Sequence, residues 1–217
     1  AATEAGFTDI AFQLEPIAAA LDFEQRVQVE TTALVVDIGG GTSDFTVIRL
    51  NPQRSGIGFG EAASDRKADI LATTGVHIGG TDFDRLLDLA TVMPLLGYGH
   101  IGTGGRPVPN SVFFDLSTWH LIHQAYTRKS LHFAKELWSD YADRGLHARL
   151  MDALKGQHGH RILAGVEAAK IACYISGDDT YVDLDFLGHG PSQHLGATVT
   201  VPAMAETLQQ ALQQVVQ

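Results

Sequence analysis

The stretch Leu34-Val35-Val36-Asp37-Ile38-Gly39-Gly40-Gly41-Thr42-Ser43-Asp44-Phe45-Thr46-Val47-Ile48 decides the fold. Apolar, β-branched runs stand on both sides of a glycine triplet. That pattern predicts a β-hairpin, with strands over 33–38 and 44–50 around a tight turn. The turn holds more glycine than a hairpin requires. Successive glycines let backbone N–H groups converge on an anion with no Cβ in the way. Asp37 closes the first strand, where a carboxylate can hold a hydrated divalent cation. Thr42 places a hydroxyl at the same mouth. Carboxylate, bare amides and hydroxyl together suit a polyphosphate with its Mg²⁺. No Gly-Lys-Ser/Thr follows, so this is not a Walker A loop.

The 217 residues, 45% of them hydrophobic, suffice for one large domain or two small ones with a filled core. A formal charge of -10, with no run of Lys or Arg, argues against nucleic acid and acidic membrane surfaces as partners. One cysteine, Cys173, allows no intrachain disulfide, and its apolar helical stripe marks it as packed. No apolar run reaches membrane-spanning length, so a cytoplasmic setting is the default expectation. His120-x-x-His123 and His158-x-His160 lack the third ligand or the Glu of a zinc site, and read as solvated or capping side chains.

Outward from the hairpin, Phe12-Gln13-Leu14 reads as a short strand running into a helix opened by Pro16 and continued through Ile17-Ala18-Ala19-Ala20-Leu21. Glu15 at its entrance is favoured by the helix dipole. Its functional reading is a carboxylate that faces the phosphate turn and orients a water. After the hairpin come a Gly-bearing loop over 51–67, a third strand over 68–74 and a second glycine turn, Gly75-Val76-His77-Ile78-Gly79-Gly80. Thr81 reads as a helix N-cap, with Phe83, Leu86, Leu87, Ala90 and Met93 as the buried face, and Pro94 and Gly97 as the stop. The segment 97–110 holds five glycines and two prolines and is the expected mobile loop.

Helices are expected over 116–141 and 148–155, with Trp119, Leu131, Leu137 and Trp138 in the core, and over 161–175. On the last of these, Glu167 and Lys170 share a face, as a surface ion pair or as a pair reaching a nucleotide. A half-buried strand over 181–187, a returning strand over 197–201 and a helix from Pro202 with Leu208, Leu212 and Val215 on one stripe complete the chain.

Four pieces now stand in order: Glu15-Pro16-Ile17-Ala18-Ala19-Ala20, Asp37-Ile38-Gly39-Gly40-Gly41-Thr42-Ser43-Asp44, His77-Ile78-Gly79-Gly80-Thr81-Asp82-Phe83-Asp84, and Glu167-Ala168-Ala169-Lys170-Ile171. Together they resemble the second lobe of the nucleotide-binding domain of the seventy-kilodalton heat-shock chaperones, in the actin-like ATPase superfamily. Met93-Pro94-Leu95-Leu96-Gly97 and the helical stretch after it resemble the YegD-like branch. The resemblance implies an α/β fold: an actin-like, ribonuclease H-like lobe, whose twisted sheet carries the phosphate hairpin, with an inserted α+β subdomain. It implies a core part over 1–76, the insertion over 77–201 covering the adenosine side, and a helix over 202–217 returning to the core.

The resemblance also implies roles. Asp37 would hold Mg²⁺ through water, and the amides of Gly39, Gly40 and Gly41 would cradle the phosphates of ATP or ADP. The Thr42 hydroxyl would meet the γ-phosphate, and Glu15 would orient the attacking water. Gly79 and Gly80 would let the backbone pass close to the nucleotide, and Glu167 and Lys170 would reach the ribose. Phosphoryl transfer to water needs positioning and charge stabilisation more than covalent chemistry, which these groups can supply.

Ser43, Thr81 and Tyr174 depart from the family pattern, the last where a small hydroxyl residue helps bind adenine. The first lobe's phosphate turn and Lys do not occur in these residues, so the sequence is expected to be a fragment that is inactive alone. The missing lobe, unfolded polypeptide clients and co-chaperones are the implied partners of the intact protein. A sugar or acid kinase of the same superfold and a non-catalytic actin-like interaction module are the alternatives.

Overall fold

The computed structural model describes residues 1–10, 14–52, 65–188 and 194–216. Residues 12 and 13 of the strand expected over 12–14 and most of the loop expected over 51–67 lie outside the described residues, and Leu14 caps the first helix. The chain is mixed α/β with small antiparallel sheets, and it divides into two compact units, Ala1–Ile78 and Gly79–Gln217.

The first unit holds helix α1 (Glu15–Glu24) and strands β1 (Thr31–Ile38), β2 (Ser43–Leu50) and β3 (Ile70–Val76), in sheet order β1-β2-β3. The hairpin is as the sequence predicts. Its register pairs Val35 with Thr46, Asp37 with Asp44 and Ile38 with Ser43. One sheet face packs on α1, where Ile17 and Ala20 meet Ile48 and Leu50. Pro16 sits in the first turn of α1, where its missing N–H costs nothing.

That helix runs past Leu21, the last residue of its apolar run, because Glu24 in its last turn is buried against Arg66. The Arg66 guanidinium donates to both Glu24 carboxylate oxygens at 2.9 and 2.8 Å, and its Nε–H donates to Asp69 at 2.8 Å. Arg66 and Asp69 lie in a 3₁₀ turn, Asp65–Asp69, which delays β3 to Ile70 instead of 68.

The second unit holds α2 (Gly80–Thr91), α3 (Ser111–Ser117), α4 (Ile122–Ala125), α5 (Arg128–Glu136), α6 (Arg144–Lys155), α7 (Gly159–Ser176), β4 (Thr180–Asp183), β5 (Gly196–Val199) and α8 (Val201–Val216). Strands β4 and β5 pair antiparallel. The core gathers Leu87, Met93, Phe113, Leu116, Leu150 and Val166.

Several sequence expectations shift here. The N-cap of α2 is Gly79, with Thr81 inside the first turn, because Asp82 accepts the Gly79 N–H at 3.1 Å and closes the helix entrance. The buried face of α2 carries Asp84, Leu87 and Asp88, and Ala90 points to solvent. Pro94 and Gly97 do end the run, as a 3₁₀ turn over Met93–Leu96 capped by Gly97 at φ 110°.

The loop expected to be mobile is tied at several points. Val108 N–H donates to His100 O at 2.9 Å, Gly102 N–H to Arg106 O at 2.9 Å and the Thr103 hydroxyl to Ser139 O at 3.1 Å. The long helix expected from 116 breaks at Thr118, which is extended, so the helical phase is reset. Trp119 and Trp138 consequently leave the core and stand half exposed. Trp138 instead lies under the Arg144 guanidinium, 4.3 Å from its ring centroid.

The strand expected over 181–187 stops at Asp183, whose carboxylate accepts the Asp185 N–H at 2.9 Å and turns the chain into a 3₁₀ segment. The buried stripe of α8 runs through Leu208 and Ala211, with Leu212 exposed. This helix belongs to the second unit, where it packs on α2 and α7.

Candidate functional site

In the first unit, the turn between β1 and β2 is closed by Gly39 N–H donating to Thr42 O at 2.8 Å. The N–H of Gly39 is therefore used inside the turn, which modifies the expectation that all three glycine amides face a phosphate. Neither Gly39 nor Gly41 has the positive φ that would require glycine. A Cβ on Gly39 would meet nothing closer than Thr42 O at 3.6 Å, and one on Gly41 would meet nothing within 4 Å. The fold does not demand glycine at either position, and what bare glycine leaves is room for something outside the chain to come close.

Beside this turn lies a cavity of about 280 Å³ lined by Glu15, Asp37, Asp44, Thr46 and Thr73 among others. The structure thus brings Glu15, at the mouth of α1, to the same cavity as Asp37 at the end of β1. It adds three residues the sequence reading passed over. Asp44 stands directly across the hairpin from Asp37. Its carboxylate accepts the Thr42 hydroxyl at 2.9 Å and lies over Gly75 of β3, where any Cβ would collide with it. The hydroxyls of Thr46 and Thr73 are 3.1 Å apart.

The register supplied the missing signal: Asp37 and Asp44 are symmetric about the turn, so any hairpin built on it sets them opposite. Like charges facing across a ladder are unfavourable unless a cation or donor sits with them. Among the described residues, no three His, Cys, Asp or Glu stand close enough to hold a bare metal ion.

In the second unit, Glu167 and Lys170 do not pair with each other. Lys170 reaches across to α2, with Nζ 2.7 Å from Asp84 Oδ1. Burial raises the pKa of Asp84, and Lys170 offsets this by favouring the charged form. One turn further along α2, Asp88 is 0% exposed, and neither of its carboxylate oxygens has a hydrogen-bond partner among the described residues. Burial first, and Asp84 second, push its pKa well above the ordinary carboxylate value. Asp84 and Glu167 line a cavity of about 210 Å³ with Thr81, Leu163 and Trp119. Gly79 and Gly80 open α2 at its N-terminal end, with the N–H of Gly79 taken by Asp82.

Over a third of its length the chain is similar to chaperones of the DnaK type. It is 36% identical over 74 residues to the chaperone protein dnaK3 of Thermosynechococcus vestitus, covering 34% of this chain and 9% of that protein. It is 36% identical over 74 residues to the chaperone protein HscA of Buchnera aphidicola subsp. Schizaphis graminum, covering 34% of this chain and 10% of that protein. It is 37% identical over 76 residues to the chaperone protein DnaK of Deinococcus radiodurans, again covering 34% and 10%. The match spans about a tenth of the length of these relatives. No family model matches the chain. Among the described residues, no helix is long and apolar enough to cross a membrane.

Proposed function

We propose that the chain is part of the nucleotide-binding domain of a heat-shock-70-like chaperone of the YegD-like branch, an actin-like ATPase lobe that binds Mg²⁺·ATP. The observation that carries this reading is the cavity lined jointly by Glu15, Asp37 and Asp44, beside a turn whose Gly39 and Gly41 the fold does not need. The similarity to DnaK and HscA chaperones supports it.

In this reading Asp37 would hold the Mg²⁺ water shell, and the amides of Gly40 and Gly41 would face the phosphates. Thr42 reorients its hydroxyl from Asp44 to the terminal phosphate. Glu15 positions the attacking water and accepts its proton as the bond to the leaving oxygen breaks. Mg²⁺ would supply charge neutralisation of the phosphates. Glu167 takes the ribose with Lys170 held beside it on Asp84, and the backbone at Gly79 and Gly80 lies close to the nucleotide. In the intact protein the other lobe completes the site, and hydrolysis drives lobe closure that clients and co-chaperones read.

Calorimetric titration of the chain with Mg²⁺·ATP tests this. The expected result is binding in the roughly micromolar to millimolar range, lost on chelation of Mg²⁺ and lost in Asp37→Asn. Absence of binding at millimolar nucleotide, or binding indifferent to both Mg²⁺ and Asp37→Asn, overturns the reading.

A further inference from the structure

The glycine- and proline-rich segment over 97–110 is built as a small hairpin, not as a loose loop. Ile101 bridges Pro107, Val108 N–H donates to His100 O at 2.9 Å, and Gly102 N–H donates to Arg106 O at 2.9 Å. The hairpin is also fastened to the turn that follows α5. The Thr103 hydroxyl donates to Ser139 O at 3.1 Å, and His100 Nε2 accepts the N–H groups of Ala142 and Asp143 at 3.2 and 3.3 Å. Gly102 packs so closely on the Asp140 carbonyl that a Cβ would not fit.

Hairpin and turn together line a cavity of about 480 Å³, through Gly104, Arg106, Pro107, Pro109 and Asp140. That volume lies in the roughly 300–1,000 Å³ range that takes a small ligand. Its two charged walls have opposite sign, and neither charge is spent. Among the described residues, the side chains of Arg106 and Asp140 make no ion pair or hydrogen bond, with each other or with any other group. Pro107 and Pro109 add apolar ring faces on a backbone that the rings stiffen and that offers no N–H there.

A simple anion would satisfy Arg106 and be repelled by Asp140, and a simple cation the reverse. A molecule that carries both charges satisfies both. The planar guanidinium can grip a carboxylate through two parallel bonds. The Asp140 carboxylate can accept from an ammonium, and an aliphatic body between the two ends can lie on the prolines.

We propose that this cavity binds a small zwitterion of the amino-acid or short-peptide type, with its carboxylate on Arg106 and its ammonium on Asp140. The site lies wholly within the second unit and is independent of the nucleotide reading.

The probes are alanine, dialanine and trialanine, whose charged ends stand further apart by roughly 3.5 Å per residue. Binding is read from the amide resonances of Gly102, Gly104 and Gly105 in the isotope-labelled chain. At least one of the three should shift these resonances saturably, with a millimolar Kd that weakens as salt is raised. Acetylating the amine or amidating the carboxylate of that ligand should each weaken it about 2- to 5-fold. In Arg106→Gln, amidation should make no further difference while acetylation still does. In Asp140→Asn the pattern should reverse. Both positions are exposed, and unchanged thermal unfolding would verify that both variants fold. Whichever length binds best reads out the span between the two charges. No saturable shift with any of the three at roughly 100 mM, or blocking penalties that persist unchanged in both variants, overturns the proposal.

Discussion

Replacing Arg66 with Met should destabilise the first unit by about 3–5 kcal/mol. The side chains of Arg66, Glu24 and Asp69 are 7%, 0% and 10% exposed, so the cluster is desolvated. The guanidinium donates three charge-assisted bonds of 2.8 to 2.9 Å, two to Glu24 and one to Asp69. Hydrogen bonding to Glu24 is also the leading cause that raises its own pKa. Glu24 in turn accepts the N–H of Asn51 at 2.8 Å, just beyond the end of β2.

Met restores bulk but takes three charge-assisted bonds away from two buried carboxylates, which is costlier than never having had the pair. Glu24→Gln in the Arg66→Met background removes one of those charges. The double variant should be less unstable than the sum of the singles by about 1 kcal/mol or more. Native-state amide exchange of β1, β2 and β3 reports this unit. Both tryptophans lie in the second unit, so the denaturant transition of indole fluorescence serves as a control that should stay in place. A loss below about 1 kcal/mol, the scale of an exposed pair, or an equal shift in the fluorescence transition, refutes the argument.

Asp88→Asn should stabilise the second unit by a margin that grows with pH. The folded-state pKa of Asp88 lies above its unfolded value. The contribution of the protonated form is thus fully present below about pH 4 and is lost as pH rises through the folded pKa. Each pKa unit of elevation is worth about 1.4 kcal/mol. Fluorescence-monitored unfolding of both forms from acid to pH 8 should show the curves diverge, and parallel curves would mean that Asp88 finds a partner. Gly97→Ala should cost about 2–5 kcal/mol, because Gly97 has φ 110° and an added Cβ falls onto the Tyr141 ring, whose hydroxyl donates to Leu96 O at 2.9 Å. A loss below about 1 kcal/mol in chemical denaturation would show that the ring moves aside freely.

The hairpin was legible because a period-two pattern and a glycine triplet fix both strands and, by symmetry about the turn, their register. Helix existence in the second unit was legible for the same kind of reason, from apolar spacing. What pattern reading missed is polar and buried. Charge marks the solvent face in a pattern reading, which puts Phe83 and Ala90 on the inner stripe of α2, whereas Asp84 and Asp88 share that side with Leu87. It could not pair Glu24 with Arg66, since those residues are 42 apart in sequence. It assigned both tryptophans to the core by residue type, although a break at Thr118 changes the phase of everything after it.

The same polar pairing bears on how tightly any nucleotide can be held. Three groups that the resemblance assigns to a ligand are already satisfied within the chain: Gly39 N–H by Thr42 O, the Thr42 hydroxyl by Asp44, and Lys170 by Asp84. A ligand that takes any of them exchanges one hydrogen bond for another, and such an exchange nets only about 0.5–1.5 kcal/mol. Releasing Lys170 from Asp84 would cost more, since it leaves a mostly buried carboxylate uncompensated. Lys170 therefore acts most cheaply by staying on Asp84 and setting the charge of the cavity to which Glu167 contributes its free carboxylate. Affinity for the phosphate end must then come chiefly from what the first unit leaves open: the approach at Gly41 and a hydrated cation beside Asp37. Charge, more than hydrogen-bond count, should govern binding. The physical sign is a marked dependence on Mg²⁺ and ionic strength.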